Sequence, residues 1–304
     1  MAIRRSTAEA RARTHLQGLR GFRQALSSAH VRLDRAAPVM ETRELRIPNG
    51  PGALPARLYR PHAAAATGPG VVFFHGGGFV VCDVETHDSL CRWLAQAAGL
   101  PVLSVDYRLA PEAAFPAQLE DGEAATRWAI ENATALGLDP DRLLLGGDSA
   151  GGYICVAVAA KLNAERAGAI AGLVLLYPLL ELGDAAWASS IFAHARILGR
   201  VTLNYIRNQL GPASEAASSL VDTDPSLIPP TLIATGGQLD PCRPDALRLA
   251  EHLRAAGGTP ILLEYARLPH GFGSITHLTA ASRRAMAEIG AAARLLANGS
   301  AAAP

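Results

Sequence analysis

Of the 28 basic residues in this 304-residue chain only one, Lys161, is a lysine, and 27 acidic residues leave a formal net charge of +1. No surplus of positive charge is available to hold a phosphate backbone, and no nucleic-acid-binding motif occurs, so that class of partner is excluded. Long apolar runs are missing as well. The longest, residues 173–180 (LVLLYPLL), reaches about half of the roughly 20 residues a spanning helix needs. The N-terminal stretch carries Arg4, Arg5, Glu9, Arg11 and Arg13 where a secretory signal requires an unbroken apolar core. Its arginine-rich, acid-poor character also suits an organelle transit peptide, but Leu16, Leu19, Phe22 and Leu26 recur at helical spacing and suit docking on a core. The expectation is a cytoplasmic protein without stable membrane insertion. Cysteine is scarce and unpaired in pattern. Cys82, Cys91, Cys155 and Cys242 show neither disulfide nor metal spacing, which reads as free thiols in a reducing compartment.

What is present is globular composition, 49% hydrophobic and 18% charged, at a length near the upper limit of a single core, so one domain over 1–304 is expected. Short apolar runs at 44–47, 56–59, 71–74, 102–106, 142–145, 173–176, 231–234 and 261–265 alternate with helical patterns at 87–98, 117–135, 150–166, 242–256 and 279–297. That alternation predicts an α/β fold with a mostly parallel sheet flanked by helices. The first two runs are joined by Pro-Asn-Gly-Pro-Gly and should pair antiparallel at an edge. Two segments fit the alternation badly, about 5–35 and 183–228, and are expected to fold together as a lid.

Chemistry concentrates in a few places. Gly147-Asp148-Ser149-Ala150-Gly151 follows a strand and precedes a helix, a setting that forces the serine into a strained turn and pushes its hydroxyl out at the carboxyl end of the sheet. His75-Gly76-Gly77-Gly78-Phe79 also follows a strand, and its glycines leave backbone N–H groups free to meet an oxyanion. Neither cluster continues as Gly-Lys-Ser/Thr or matches G-x-G-x-x-G, so phosphate-loop and dinucleotide readings fall. A serine nucleophile needs a base and an orienting acid, in the chain order serine, acid, histidine for an α/β hydrolase. Among nine histidines, His270 sits in a loop between the last strand and the last helix, whereas His15, His30 and His252 read as solvated surface residues. Asp240 follows the 231–234 strand at the same sheet end as Ser149. Its competitor Asp245 falls one helical turn further on and is expected to point into solvent.

Together His75-Gly76-Gly77-Gly78, Asp106-Tyr107-Arg108-Leu109-Ala110-Pro111-Glu112, Gly147-Asp148-Ser149-Ala150-Gly151-Gly152, Asp240-Pro241 and His270-Gly271-Phe272 resemble the hormone-sensitive-lipase family of carboxylesterases, bacterial lipolytic family IV. The likeness runs in unbroken order from about residue 40 to the end. It implies an α/β-hydrolase fold with a helical cap from about 1–38 and about 183–228. It also implies ester hydrolysis by catalytic Ser149, Asp240 and His270, with oxyanion donors at the backbone of Gly77, Gly78 and Ala150. Arg108 and Glu112 would then be held in buried polar contacts. The expected substrate is a small to medium, short-chain soluble ester, cleaved through an acyl-enzyme, because two short cap segments should close a small pocket above Ser149; no metal or organic cofactor has a task in that chemistry, and the chain would be a monomer or homodimer. Amide or formamide hydrolysis and acyl transfer would use the same triad, and a non-catalytic ligand receptor would be expected to lack one of its members. Departures from the family pattern are Cys82 for a glycine, Tyr153 for an asparagine, Cys242 for the leucine of Asp-Pro-Leu, and Ala113-Ala114 for His-Pro; they bear on pocket shape.

Overall fold

In the computed structural model the described residues are 2–33, 38, 40–50, 52–62, 64–182, 200–214 and 219–299, with side chains described from residue 13 to 29 at the N-terminus and from 201 onward after the gap. Eight strands form one sheet: β1 (Glu41–Asn49), β2 (Gly52–Arg60), β3 (Gly68–Phe74), β4 (Val102–Val105), β5 (Leu138–Asp148), β6 (Gly172–Leu176), β7 (Thr231–Gly236) and β8 (Ile261–Tyr265), in the order β1-β2-β4-β3-β5-β6-β7-β8. β2 runs antiparallel to both of its neighbours, and β4 to β8 pair parallel through β3. The antiparallel edge and the parallel body are both as the sequence predicts.

The helices are α1 (Ala2–Leu33), α2 (Asp88–Ala98), α3 (Ala117–Glu131), the one-turn α4 (Ala133–Leu136), α5 (Ala150–Glu165), α6 (Arg200–Leu210), α7 (Arg243–Ala255) and α8 (Ala280–Ala297). A parallel sheet covered on both faces has strands that read as continuous apolar runs, and consecutive side chains serve opposite layers. Val72, Phe74, Leu143, Leu145, Leu173 and Leu175 pack with Ile154 of α5 and Leu249 of α7. Their neighbours Val71, Phe73, Leu144, Val174 and Leu176 pack with Leu94 of α2 and Ile289 of α8. With both faces closed, the exposed carboxyl end of the parallel strands is where loops can carry polar chemistry. Of the expected 183–228 segment, residues 183–199 and 215–218 lie outside the described residues; α6 is the helix seen within it. No described helix is long and apolar enough to cross a membrane.

Candidate active site

One residue separates β5 from α5. Ser149 has φ 50° and ψ −118°, a left-handed backbone that costs of order 1–3 kcal/mol for a residue with a side chain. The surroundings enforce it: its N–H donates to Leu176 O at 2.9 Å, and its carbonyl accepts from Gly152 N and Leu179 N at 3.0 Å each. The turn can close because residue 151 is glycine; a Cβ there would lie 1.9 Å from Phe74 O.

Asp240 lies in the loop after β7 and His270 in the loop after β8. The Asp240 carboxylate is buried, with Oδ2 accepting from Gly236 N (3.0 Å) and Thr235 Oγ1 (3.2 Å) and Oδ1 accepting from Cys242 N (3.0 Å). His270 Nδ1 lies 2.7 Å from Asp240 Oδ1, and His270 Nε2 lies 3.0 Å from Ser149 Oγ. Burial by itself would favour the neutral acid, but His270 and the two amides outweigh it and hold the Asp240 carboxyl below the usual aspartate range. With an ionised Asp240 accepting from Nδ1–H, Nε2 is left as the acceptor for the serine hydroxyl. Tyr177 meets the imidazole edge-on, 4.9 Å between centroids, and so fixes the ring from the side.

The loop after β3 brings Gly77 and Gly78 beside the serine. Gly77 has φ 105°, and a Cβ there would fall 2.1 Å from Val81 O, so no other residue fits. In a trans peptide the C=O and the following N–H point opposite ways. Gly76 O faces His75 Nδ1 (2.7 Å) and Gly77 O accepts from Val80 and Val81 N (3.1 and 3.0 Å), which turns the N–H groups of Gly77 and Gly78 away from those partners. The same argument applied to Ser149 O turns out the Ala150 N–H, at the first residue of α5, where no intrahelical acceptor exists. A cavity of about 380 Å³ stands over these groups, with Ser149, His270 and Gly78 in its floor and Phe22 of α1 and Tyr205 and Ile206 of α6 around it. Ser149, Asp240, His270, Gly77, Gly78 and Ala150 are thus all brought to one place.

Behind the glycine loop lies a buried network that reading the sequence missed. Asp148 accepts from Gly76 N at 2.7 Å and lies 3.2 Å from His87 Nε2; His87 Nδ1 faces Thr86 Oγ1 at 3.0 Å. His75 stacks on Tyr107 with centroids 4.3 Å apart, and Tyr107 donates its hydroxyl to His75 O at 2.7 Å. Burial opposes ionisation of Asp148, yet the His87 imidazole and the Gly76 amide keep its carboxyl below the ordinary range. Asp148 and His75 stand within the two glycine motifs, but nothing in the sequence around His87 marks it.

Three expectations are corrected. Asp245 does not point into solvent: it is 3% exposed and its Oδ2 accepts from Leu180 N (2.9 Å) and Glu181 N (3.1 Å), and burial outweighs these two amides and pushes its carboxyl up to about 7. Arg108 and Glu112 are not buried. Arg108 pairs with Asp121 (2.7 Å) while half-exposed, and Glu112 pairs with Arg23 of α1 (2.9 Å). His252 is half-buried, with Nε2 3.0 Å from Thr223 O, whereas His15 is exposed as expected and meets Gln209 at 3.0 Å; the His30 side chain lies outside the described residues. Of the departures from the family pattern, Cys82 borders the cavity with φ 75° and a thiol that burial pushes up to about 12. Tyr153 packs edge-on against Phe79 and Phe115 (5.9 and 6.3 Å). Cys242 caps α7, and its sulfur, an Asp240 oxygen and a His270 nitrogen lie within 4.8 Å of one another, the cluster of metal-ligand atoms among the described residues.

Residues 71–274 match a family model described as alpha/beta hydrolase fold. The carboxylic ester hydrolase LipN of Mycobacterium tuberculosis is 37% identical over 267 residues, 84% of this chain and 70% of its own. Hormone-sensitive lipase of Mus musculus is 38% identical over 134 residues, 44% of this chain and 18% of its own. The solved esterase from Pyrobaculum calidifontis superposes with a TM-score of 0.84 at 31% identity, over 91% of this chain and 90% of that one. A sheet of this order, a strained serine after β5 and these likenesses together place the chain in the alpha/beta hydrolase fold family, in the hormone-sensitive-lipase-like group that its motifs resemble.

Proposed function

We propose that this chain is a serine carboxylesterase that cleaves small to medium, short-chain soluble esters through an acyl-enzyme. The observation that carries the reading is the line Asp240–His270–Ser149, with separations of 2.7 and 3.0 Å at the floor of a cavity of about 380 Å³. Ser149 Oγ attacks the ester carbonyl as His270 Nε2 takes its proton, and Asp240 holds the tautomer and stabilises the imidazolium. The amides of Gly77, Gly78 and Ala150 receive the oxyanion, each worth about 3 kcal/mol in the transition state. His270 then gives its proton to the leaving alcohol, and water repeats the cycle on the acyl group. The cap belongs to this reading: α1 and α6, the described helices of the expected 1–38 and 183–228 cap, close the site, as supported by Phe22 and Leu26 of α1 and Tyr205 and Ile206 of α6 bordering the cavity. That volume is at the small end of ligand sites, which favours short acyl chains. Ser149→Ala should abolish ester turnover, a loss on the order of 10⁴–10⁶ in kcat, with an unchanged melting profile, and an alkyl phosphonate should label Ser149 and no other serine. Full activity in the variant, or labelling elsewhere, refutes the assignment.

A further inference from the structure

Cys242 stands where the family pattern has leucine, and it adds a soft ligand atom to the acid–histidine pair. A carboxylate oxygen of Asp240, Cys242 Sγ and a ring nitrogen of His270 lie within 4.8 Å of one another, from the loops after β7 and β8. Asp245 sits one turn along α7, and two of the three arginines of that helix are engaged elsewhere, Arg243 with Glu264 (2.6 Å) and Arg248 with Glu181 (3.0 Å). Oxygen, nitrogen and sulfur bind zinc at about 2.0, 2.0 and 2.3 Å, which puts ligand atoms roughly 3.3–3.8 Å apart. The cluster reaches that by adjustments of about 1 Å or less.

We propose that Asp240, Cys242 and His270 form a site for a thiophilic divalent cation of the zinc type, and that filling it switches the hydrolase off. The site is the one read above as catalytic, so the inhibitory half of the inference rests on that reading. The cation takes the place of the proton between His270 Nδ1 and Asp240 Oδ1. Cys242 gives up its thiol proton to solvent while the proton displaced from His270 Nδ1 is taken up at Nε2, so one proton is released, three metal–ligand bonds form and no electrons are transferred. His270 is then tied to a cation and has lost the carboxylate that stabilises its charged form, so it no longer serves Ser149 as a base. Magnesium and calcium, which prefer all-oxygen sites, should not compete.

The test has two arms. In the first, chelator-treated protein is titrated with zinc while short-chain p-nitrophenyl ester hydrolysis is followed, each variant scored against its own zinc-free rate. Wild type should be inhibited by zinc and not by magnesium, and recover with EDTA. Cys242→Ala and Cys242→Leu should need about a hundredfold more zinc, while Cys82→Ala stays as sensitive as wild type. In the second arm cobalt(II) is added to Ser149→Ala, which should develop a thiolate-to-cobalt charge-transfer band that vanishes when Cys242 is also changed. This arm needs no esterase activity, so it stands or falls apart from the hydrolase reading. Equal zinc sensitivity of wild type and both Cys242 variants, or cobalt binding without the band, overturns the site; the band without loss of activity overturns the switch.

Discussion

Asp148 is the carboxylate whose removal should separate the support of the oxyanion loop from the chemistry itself. In Asp148→Ala, Gly76 N–H loses its acceptor at 2.7 Å and His87 Nε2 its partner at 3.2 Å, both in a buried setting. An unsatisfied buried polar group costs about 1–3 kcal/mol, so the two together should lower stability by about 3 kcal/mol. For a chain of this size that is roughly a 6–10 °C fall in Tm. Gly76 precedes Gly77, the first of the proposed oxyanion donors, so the peptide carrying Gly77 N–H loses its anchor. Loss of one such donor lowers kcat by about 10²–10³, and a displaced rather than missing donor should give about tenfold to hundredfold, with KM little changed. Asp148→Asn keeps an oxygen for Gly76 N but no charge against His87, and should fall between. Calorimetry and steady-state hydrolysis of a short-chain p-nitrophenyl ester measure the two effects. If Asp148→Ala melts earlier but keeps its kcat, the carboxylate is structural and the positioning argument is wrong.

Asp245 yields a pH prediction of opposite sign to that of an ordinary carboxylate. Its folded-state value, raised from 3.8 to about 7, means the folded chain holds a proton that the unfolded chain has released, so stability falls as pH rises from about 4 to 7, by up to about 4 kcal/mol. Asp245→Asn should therefore raise Tm at pH 8 and flatten that slope; a lower Tm at pH 8 would show that the amides of Leu180 and Glu181 hold an ionised carboxylate instead. Arg23→Ala removes contacts to Glu112 (2.9 Å), Val80 O (2.7 Å) and Ala110 O (2.6 Å), and should cost about 1–3 kcal/mol and raise KM several-fold, read by calorimetry and initial rates; unchanged KM would mean that α1 does not bound the working pocket. Across p-nitrophenyl esters kcat/KM should peak between about two and eight acyl carbons, because each buried methylene gains about 0.8 kcal/mol only until the cavity is full. Equal turnover of a sixteen-carbon ester would refute this.

The six parallel strands were legible because most are buried apolar runs, as at Val71–Phe74 and Leu173–Leu176, and the antiparallel edge because Pro-Asn-Gly-Pro-Gly marks the turn between its first two strands. Ser149, Asp240 and His270 were legible because each follows such a run at the same end of the sheet. What escaped were pairings set by distant chain. Asp245 was misplaced because its partners Leu180 and Glu181 come from the segment leaving β6, about 65 residues earlier. Helical spacing alone gives no hint that this segment covers the first turn of α7. Arg108 and Glu112 sit in one motif yet turn to different partners, Asp121 and the distant Arg23. His87 finds Asp148 across 61 residues.

The attachment of α1 has a consequence for how such an enzyme changes its diet. Along this helix Leu19 is the described apolar side chain that is buried, while Phe22 is 57% exposed, and Arg23 is the residue that grips both the motif around Glu112 and the backbone at Val80, three residues past Gly77. One arginine thus serves as a pivot between a helix whose described side chains are mostly exposed and the glycine loop beside Ser149. Phe22, next to that pivot, is exposed and borders the cavity, so it can be exchanged without touching Ser149, Asp240 or His270. The N-terminal helix is in this sense an exchangeable part: new substrates can be acquired by rewriting its wall of the cavity, provided the chain keeps a guanidinium at position 23 to seat it.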